Sequence, residues 1–401
     1  MQREDTIWTK GFISLFFANL FIFIVFYGLV AALPLYALGV LGKTEQQAGL
    51  LMSVFMISAI IVRPFTGKIL DTVGKRRSLW LSLIFFLICT LFYYLTPSFG
   101  WLLCLRFFHG IWFGVLTTAC ASIAADIIPA RRRGTGLGYF TMSMNLGVVL
   151  GPLVSLSVIQ AYSFHTLFII LSLFMIIGAI ISILVPAYEE CSLPSKVKKK
   201  LSIHDLFEKK ALPVASLALL IGISYSSVLS YLSIYAQERG LLHLTSVFFL
   251  VYTSVMLLTR PFTGRLFDSK GPLYVVYPGL ISFIIGLVLL AYTNSPTTFL
   301  IAGGFVGLGY GSIVPSMQTM AIQSVKIERS GYATATFFTL FDTGIAIGSF
   351  LFGIIAVAKG YSPIYIISAV VVGCVIVLTA LKSQSKQVKE TADIVSEAGP
   401  F

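Results

Sequence analysis

Residues 63–74 read RPFTGKILDTVG, and residues 260–271 read RPFTGRLFDSKG. Arginine, proline, phenylalanine, threonine, glycine, aspartate and the closing glycine recur in register, at an offset of 197 residues. That offset is about half of the 401-residue chain. Three further regions obey it. Gly110 and Gly114 map onto Gly307 and Gly311, Arg132 and Gly134 onto Arg329 and Gly331, and Gly147 and Gly151 onto Gly344 and Gly348. Glycine is common in spanning helices, so one such match is weak; four regions at one offset define a repeat of half the chain. In a membrane protein, two repeats facing each other place a binding site on the axis between them.

Composition supplies the membrane. Hydrophobic residues make up 57% of the chain and charged residues 11%, with a mean hydropathy of +0.93; a soluble domain carries about 25% charged residues. Twelve apolar runs are long enough to cross about 30 Å of hydrocarbon: 11–38, 46–70, 78–96, 99–125, 137–160, 164–186, 211–238, 243–268, 273–294, 297–322, 331–358 and 361–381. They lack the alternation of barrel strands, so they read as helices. The first run is longer than a signal peptide and offers no convincing cleavage site around Pro34 to Ala37, and reads as a spanning helix. The expected fold is an all-α integral membrane protein of two six-helix bundles, 1–186 and 211–382, with a cytoplasmic linker at 187–210 and a polar, disordered tail at 383–401. The linker segment LSIHDLFEKK (201–210) reads either as a solvated stretch or as a short amphipathic helix on the inner leaflet.

Lysine and arginine placement sets the orientation. With the N-terminus cytoplasmic, inner segments hold 22 of the 28 basic residues, outer loops hold only Lys43, Arg239 and Lys359, and Arg63, Arg106 and Arg260 lie within spans. Both termini are therefore expected in the cytoplasm of a plasma-membrane protein. The net charge of +12 reflects this topology; scattered over short loops, it does not suggest a nucleic-acid partner. Five cysteines and four histidines show no metal-ligand, disulfide or catalytic spacing, so no metal, cofactor or enzymatic role is expected. No phosphate-binding loop is visible, which argues against direct use of ATP.

The loop after the second span, Gly67 to Arg77, carries Gly67, Asp71, Gly74, Lys75, Arg76 and Arg77. It resembles the signature loop between helices two and three of the major facilitator superfamily, which clamps the two halves together when the transporter is open outward. Thr72 stands where that family usually has a basic residue. In the second copy Asp268 is kept, but Pro272 follows Gly271 in place of arginine. Span four carries Arg106, Gly110 and Gly114, similar to the family's helix-four motif, whose buried arginine is linked to proton coupling. Span five carries Gly138, Gly147, Gly151 and Pro152 at the spacing of the motif associated with antiporters, although Ser155 and Leu156 replace its closing glycines. The resemblance is to the twelve-helix drug:proton antiporter type and covers essentially the whole chain.

The residues can also be read on their own chemistry. Asp71, at a helix end beside a basic run, can accept charge-assisted hydrogen bonds from Arg76, Arg77 or another helix terminus. Contacts made in one global state and broken in the other are what a gate requires. Gly147, Gly151 and Pro152 read as thinning and bending a helix between the halves, or as close packing alone. Asp342 is the one carboxylate in the middle of a span, roughly 16 Å from its cytoplasmic end at 1.5 Å per residue. An ionised aspartate there is disfavoured by about 2.5–3.5 kcal/mol or more. It is either a proton-coupling group or a structural carboxylate held by neighbouring helices, Arg63 or Arg106. Its repeat mate, Asn145, cannot titrate. Arg106 is the second costly residue, either answering Asp342 or a substrate anion, or holding backbone carbonyls. Arg63 and Arg260 read as snorkelling or bracing the gate loops. Asn19, Tyr27, Asn145, Tyr225, Tyr231, Tyr310 and Gln318 are candidates for a central cavity; the family's arrangement of helices one, four, seven and ten supports all but Asn145.

The expected function is secondary active export of small amphiphilic, drug-like molecules in exchange for protons by alternating access, with a monomer in the lipid bilayer as the working unit. The alternative is a symporter or facilitator importing a sugar or another small metabolite.

Overall fold

The computed structural model describes residues 6–96, 98–185 and 207–397, the side chains of 45, 46 and 382–397 excepted. Among the described residues there are twelve long helices and no strand: α1 (Lys10–Gly39), α2 (Glu45–Val73), α3 (Lys75–Phe92), α4 (Phe99–Ile127), α5 (Arg133–Ala161), α6 (Phe164–Ser182), α7 (Leu212–Glu238), α8 (Thr245–Lys270), α9 (Leu273–Ala291), α10 (Pro296–Gln323), α11 (Ser330–Lys359) and α12 (Ser362–Glu397). Each is long and apolar enough to cross a bilayer. Their starts are set locally. The side chains of Thr9, Thr44, Ser98, Ser163 and Ser295 each accept a backbone N–H of the first turn, and Thr44 and Ser295 close full capping boxes. Gly74 and Gly271, related by the offset, end α2 and α8 at φ +91° and +98°, backbone that only glycine adopts without strain.

The repeat is visible in the packing. α1 packs on α5 as α7 packs on α11, α2 on α4 as α8 on α10, and α3 on α4 as α9 on α10. The register is kept to the residue: Gly110 lies on the backbone of Phe55, and Gly307 on that of Tyr252, 197 residues later in both cases. One hydrophobic core runs from Ile7 to Val185 and takes in Ile322; a second runs from Ala211 to Val375. α3, α6, α9 and α12 turn apolar faces outward, through residues such as Ile84, Leu173, Ile281 and Val370, as lipid contact requires.

Two expectations meet the structure differently. α12 does not end at residue 381, where the twelfth apolar run ends: its backbone stays helical through Glu397, where the sequence reading has a disordered tail. Lys, Gln and Glu recur along that stretch, and their helix propensity carries the helix on. Most of the 187–210 linker lies outside the described residues, so its amphipathic segment goes untested up to residue 206. Glu208, at its end, pairs with Arg329, and its backbone N–H donates to Thr336 Oγ1 at 2.9 Å.

Candidate functional site: the seam between the halves

The two halves meet chiefly along α2 with α11 and α5 with α8. Every hydrogen bond or ion pair that joins them among the described residues lies between mid-helix and the end carrying the α2–α3, α4–α5, α8–α9 and α10–α11 loops. We refer to that end as the basic end. None is made at the opposite end among those residues, so the structure is closed at the basic end.

Two pseudo-symmetric latches hold it. In the first, Gly67 of α2 abuts Tyr332 of α11 so tightly that a Cβ on Gly67 would lie 2.9 Å from the Tyr332 Cα, and Tyr332 Oη donates to Asp71 at 3.2 Å. In the second, Gly264 of α8 abuts Thr135 of α5, with the Thr135 Cα 2.7 Å from where a Cβ would be. There Asp268 accepts from the Gly134 and Thr135 N–H groups at 2.8 and 2.9 Å and from Thr135 Oγ1 at 2.6 Å. Asp268 thus caps the N-terminus of α5, where the helix dipole favours an anion.

Asp71 takes its hydrogen bond from Tyr332 rather than from Arg76 or Arg77, and Arg76 turns instead to the Ile183 carbonyl at 3.5 Å. The basic residue of this loop that crosses the seam is Lys75, which donates to Asp126 at 2.6 Å and to Ser330 at 2.8 Å; Ser330 in turn donates to Asp126 at 3.1 Å. The sequence singled out neither Asp126 nor Ser330.

Above the latches, Asp342 is 7% exposed and paired with Arg63 Nη2 at 2.9 Å, across the seam from α11 to α2. The Arg63 guanidinium also lies over the Phe338 ring, 4.9 Å from its centroid. Arg63 is therefore a partner of Asp342 and does not snorkel. Arg106 takes no part in this pair. Its Nε donates to the Leu51 carbonyl at 3.1 Å, its guanidinium covers the Phe55 ring at 4.0 Å, and these contacts tie α4 to α2 within one half. Depth explains the separation: Arg106 is seven residues from the start of α4 at the far end, whereas Asp342 is twelve residues from the basic end of α11.

The candidate cavity residues divide. Tyr225 stacks on Tyr310 with ring centroids 3.8 Å apart, Tyr252 Oη donates to Tyr225 Oη at 3.4 Å, and Tyr27 and Tyr310 lie within electrostatic reach of Asp342. Tyr252, absent from the sequence reading, completes this aromatic group. Asn19 is occupied, donating to Ser143 Oγ at 2.8 Å. Tyr231 bonds the Ser349 carbonyl between α7 and α11, nearer the far end. Gln318 is 1% exposed, with neither end of its amide partnered.

Gly147 and Gly151 face α1 of their own half rather than the seam: a Cβ on Gly151 would lie 2.8 Å from the backbone nitrogen of Gly28. Gly138, by contrast, is buried with room for a Cβ, which would meet only Arg260 Cδ, in ordinary contact at 3.8 Å. Backbone cannot yield, so Gly151→Ala is expected to lower stability by about 1–3 kcal/mol, while Gly138→Ala changes it little. Thermal unfolding of both variants in detergent checks this; equal midpoints would contradict the packing described.

Residues 15–293 and 242–398 match the sequence profile of the Major Facilitator Superfamily. An uncharacterised MFS-type transporter of Methanocaldococcus jannaschii is 25% identical over 86% of this chain and 90% of its own length. The quinolone resistance protein NorA of Staphylococcus aureus is 24% identical over 92% of this chain and 96% of its own. The multidrug resistance protein MdtG of Klebsiella pneumoniae is 23% identical over 85% of each chain. Among solved structures, the human organic anion transporter MFSD10 superposes with a TM-score of 0.79 at 17% identity, and the Escherichia coli fucose:proton symporter FucP with 0.74 at 16%, each covering 92% of this chain and 98% of its own.

Proposed function

This chain belongs to the major facilitator superfamily, whose members are transporters rather than enzymes, and on that premise we propose that it exports small amphiphilic molecules in exchange for protons. The observation that carries the reading is the Arg63–Asp342 pair, a buried ion pair joining the two moving halves. Protonation of Asp342 removes one charge of the pair and with it the tie between α2 and α11. The proton thereby destabilises the state closed at the basic end, which is the differential interaction a coupled carrier requires. The groups that face Asp342 are Arg63, Tyr27 and Tyr310. Of these only Arg63 carries a charge at neutral pH, so the carboxyl group is the switch.

The excess of lysine and arginine supports placing the basic end in the cytoplasm. The conformation described is then the outward-facing one, poised to take up a proton from outside. The glycine and proline pattern of α5, and the drug-resistance relatives NorA and MdtG, support export and amphiphilic substrates. The Tyr225–Tyr310 stack with Tyr27 and Tyr252 supports an aromatic or lipophilic guest.

Efflux of a panel of fluorescent lipophilic dyes from cells expressing the protein, with and without a protonophore, tests the reading. Efflux that stops with the protonophore is the expected outcome. Efflux indifferent to it would remove the proton from this reading, and uptake of a sugar driven inward with protons would replace it with the importing alternative.

A further inference from the structure

The repeat is broken where it matters most. Arg63 and Arg260 are related by the 197-residue offset, and so are Asp342 and Asn145. In one copy the arginine has its carboxylate at 2.9 Å. In the other the carboxylate is an amide. Arg260 is 5% exposed, its guanidinium makes no ion pair or hydrogen bond with any described residue, and its Nε is buried without a partner. Asn145 is 3% exposed with its Nδ2 equally unpartnered, and Gln318 leaves Nε2 free. These are donors on three helices, α8, α5 and α10, that pack against one another. Tyr252 and Tyr310 lie within electrostatic reach of Arg260, and Tyr252 stands on the same helix about two turns before it.

A buried cation with no counter-charge is costly, and breaking a buried pair by removing one partner destabilises strongly. Unmade hydrogen bonds on neighbouring amides add to that. One kind of guest removes all three deficits: an anion with its own acceptor oxygens. Resting on the export reading above, we propose that the transported molecules include aromatic monoanions, whose carboxylate is received by Arg260, Asn145 and Gln318 and whose ring system lies on Tyr310 and Tyr252. The substrate then supplies in one half the carboxylate that Asp342 supplies in the other. Arginine suits the role because its planar fork matches a carboxylate.

Equilibrium binding of 2-naphthoate and of its methyl ester to the full-length protein in lipid nanodiscs tests this. The acid is expected to bind at least tenfold tighter than the ester. Arg260→Gln is expected to remove that preference, and Arg260→Lys to retain part of it. Asn145→Asp provides a second, independent variant. It restores the internal ion pair, so it is expected to keep the fold and the weak ester binding while losing the preference for the acid. Equal binding of acid and ester, no binding of the acid at millimolar concentration, or an acid preference that survives both Arg260→Gln and Asn145→Asp would overturn the proposal. The assay uses no gradient, so failure of proton coupling leaves its result intact, and the dye experiment in turn does not depend on Arg260.

Discussion

Asp342→Asn is expected to abolish proton-driven export at undiminished expression. The amide has the shape of the protonated carboxyl group but cannot release a proton, so the carrier is held in one half of its cycle. It also leaves Arg63 as a buried cation without its counter-charge across the seam. Removing one partner of a buried pair is unfavourable by about 3–5 kcal/mol. At about 1.4 kcal/mol per tenfold, that is a shift of roughly 10²- to 4 × 10³-fold away from the state closed at the basic end. Counterflow exchange of a preloaded substrate, which needs no net proton movement, is expected to survive better than gradient-driven efflux. Export that persists at the wild-type rate would reduce Asp342 to a structural residue. The companion variant Arg63→Met removes the other charge, and the double variant is expected to be less perturbed than the two single effects combined, because neither charge is then stranded.

The second large effect is expected at Asp268. Its carboxylate holds two backbone N–H groups and one hydroxyl at the first turn of α5. Asp268→Ala leaves those donors unpaired inside the seam and deletes the anion from the positive end of the helix. Bonds to a charged group contribute about 1.5–3 kcal/mol each, and they do not add fully. A loss of about 2–3 kcal/mol, some 30- to 100-fold in the balance of the two states, is expected. Because Asp268 is far from Asp342 along the seam, substrate affinity is expected to change little while the basic end opens. Access of a membrane-impermeant thiol reagent to a single cysteine placed at Ser122, buried in the closed seam against Ser330, reads this directly in a cysteine-free background. Unchanged access would mean that Asp268 is no latch.

Much of this architecture is legible in the chain because the repeat is written in residues that packing cannot replace. Gly67 and Gly264 recur since each takes a backbone contact, with Tyr332 or Thr135, that a Cβ would block. Those two contacts are themselves one offset apart. The membrane spans follow from hydropathy, which needs no tertiary information. Side-chain pairing is less legible. Arg63 reads from the sequence both as a snorkelling or bracing residue and, beside Arg106, as a candidate partner of Asp342, and hydropathy alone does not choose between them. Arg63 is ten residues from the end of α2 and Asp342 twelve from the start of α11, so at 1.5 Å per residue their depths are about 15 and 18 Å. Matching depths on paired helices would have joined them. The same comparison separates Arg106 from Asp342. Lys75–Asp126–Ser330 was hidden for another reason: Asp126 sits at the end of an apolar span, where a carboxylate reads as an ordinary boundary residue, and only the approach of α3 and α11 gives it its partners Lys75 and Ser330. Likewise α5 does meet α8, but a glycine spacing does not say which neighbour it faces, and Gly147 and Gly151 face α1.

The central claim is that a proton on Asp342 releases the tie between the halves. The most direct measurement is the distance distribution between spin labels at Val73 and Glu328, exposed residues on opposite halves of the basic end, as a function of pH in lipid. The account predicts a short distance at high pH that gives way to a long one as the pH falls, and in Asp342→Asn a long distance at every pH. A distance that ignores pH in the wild-type protein, or an Asp342→Asn variant that keeps both the short distance and its pH response, would contradict it.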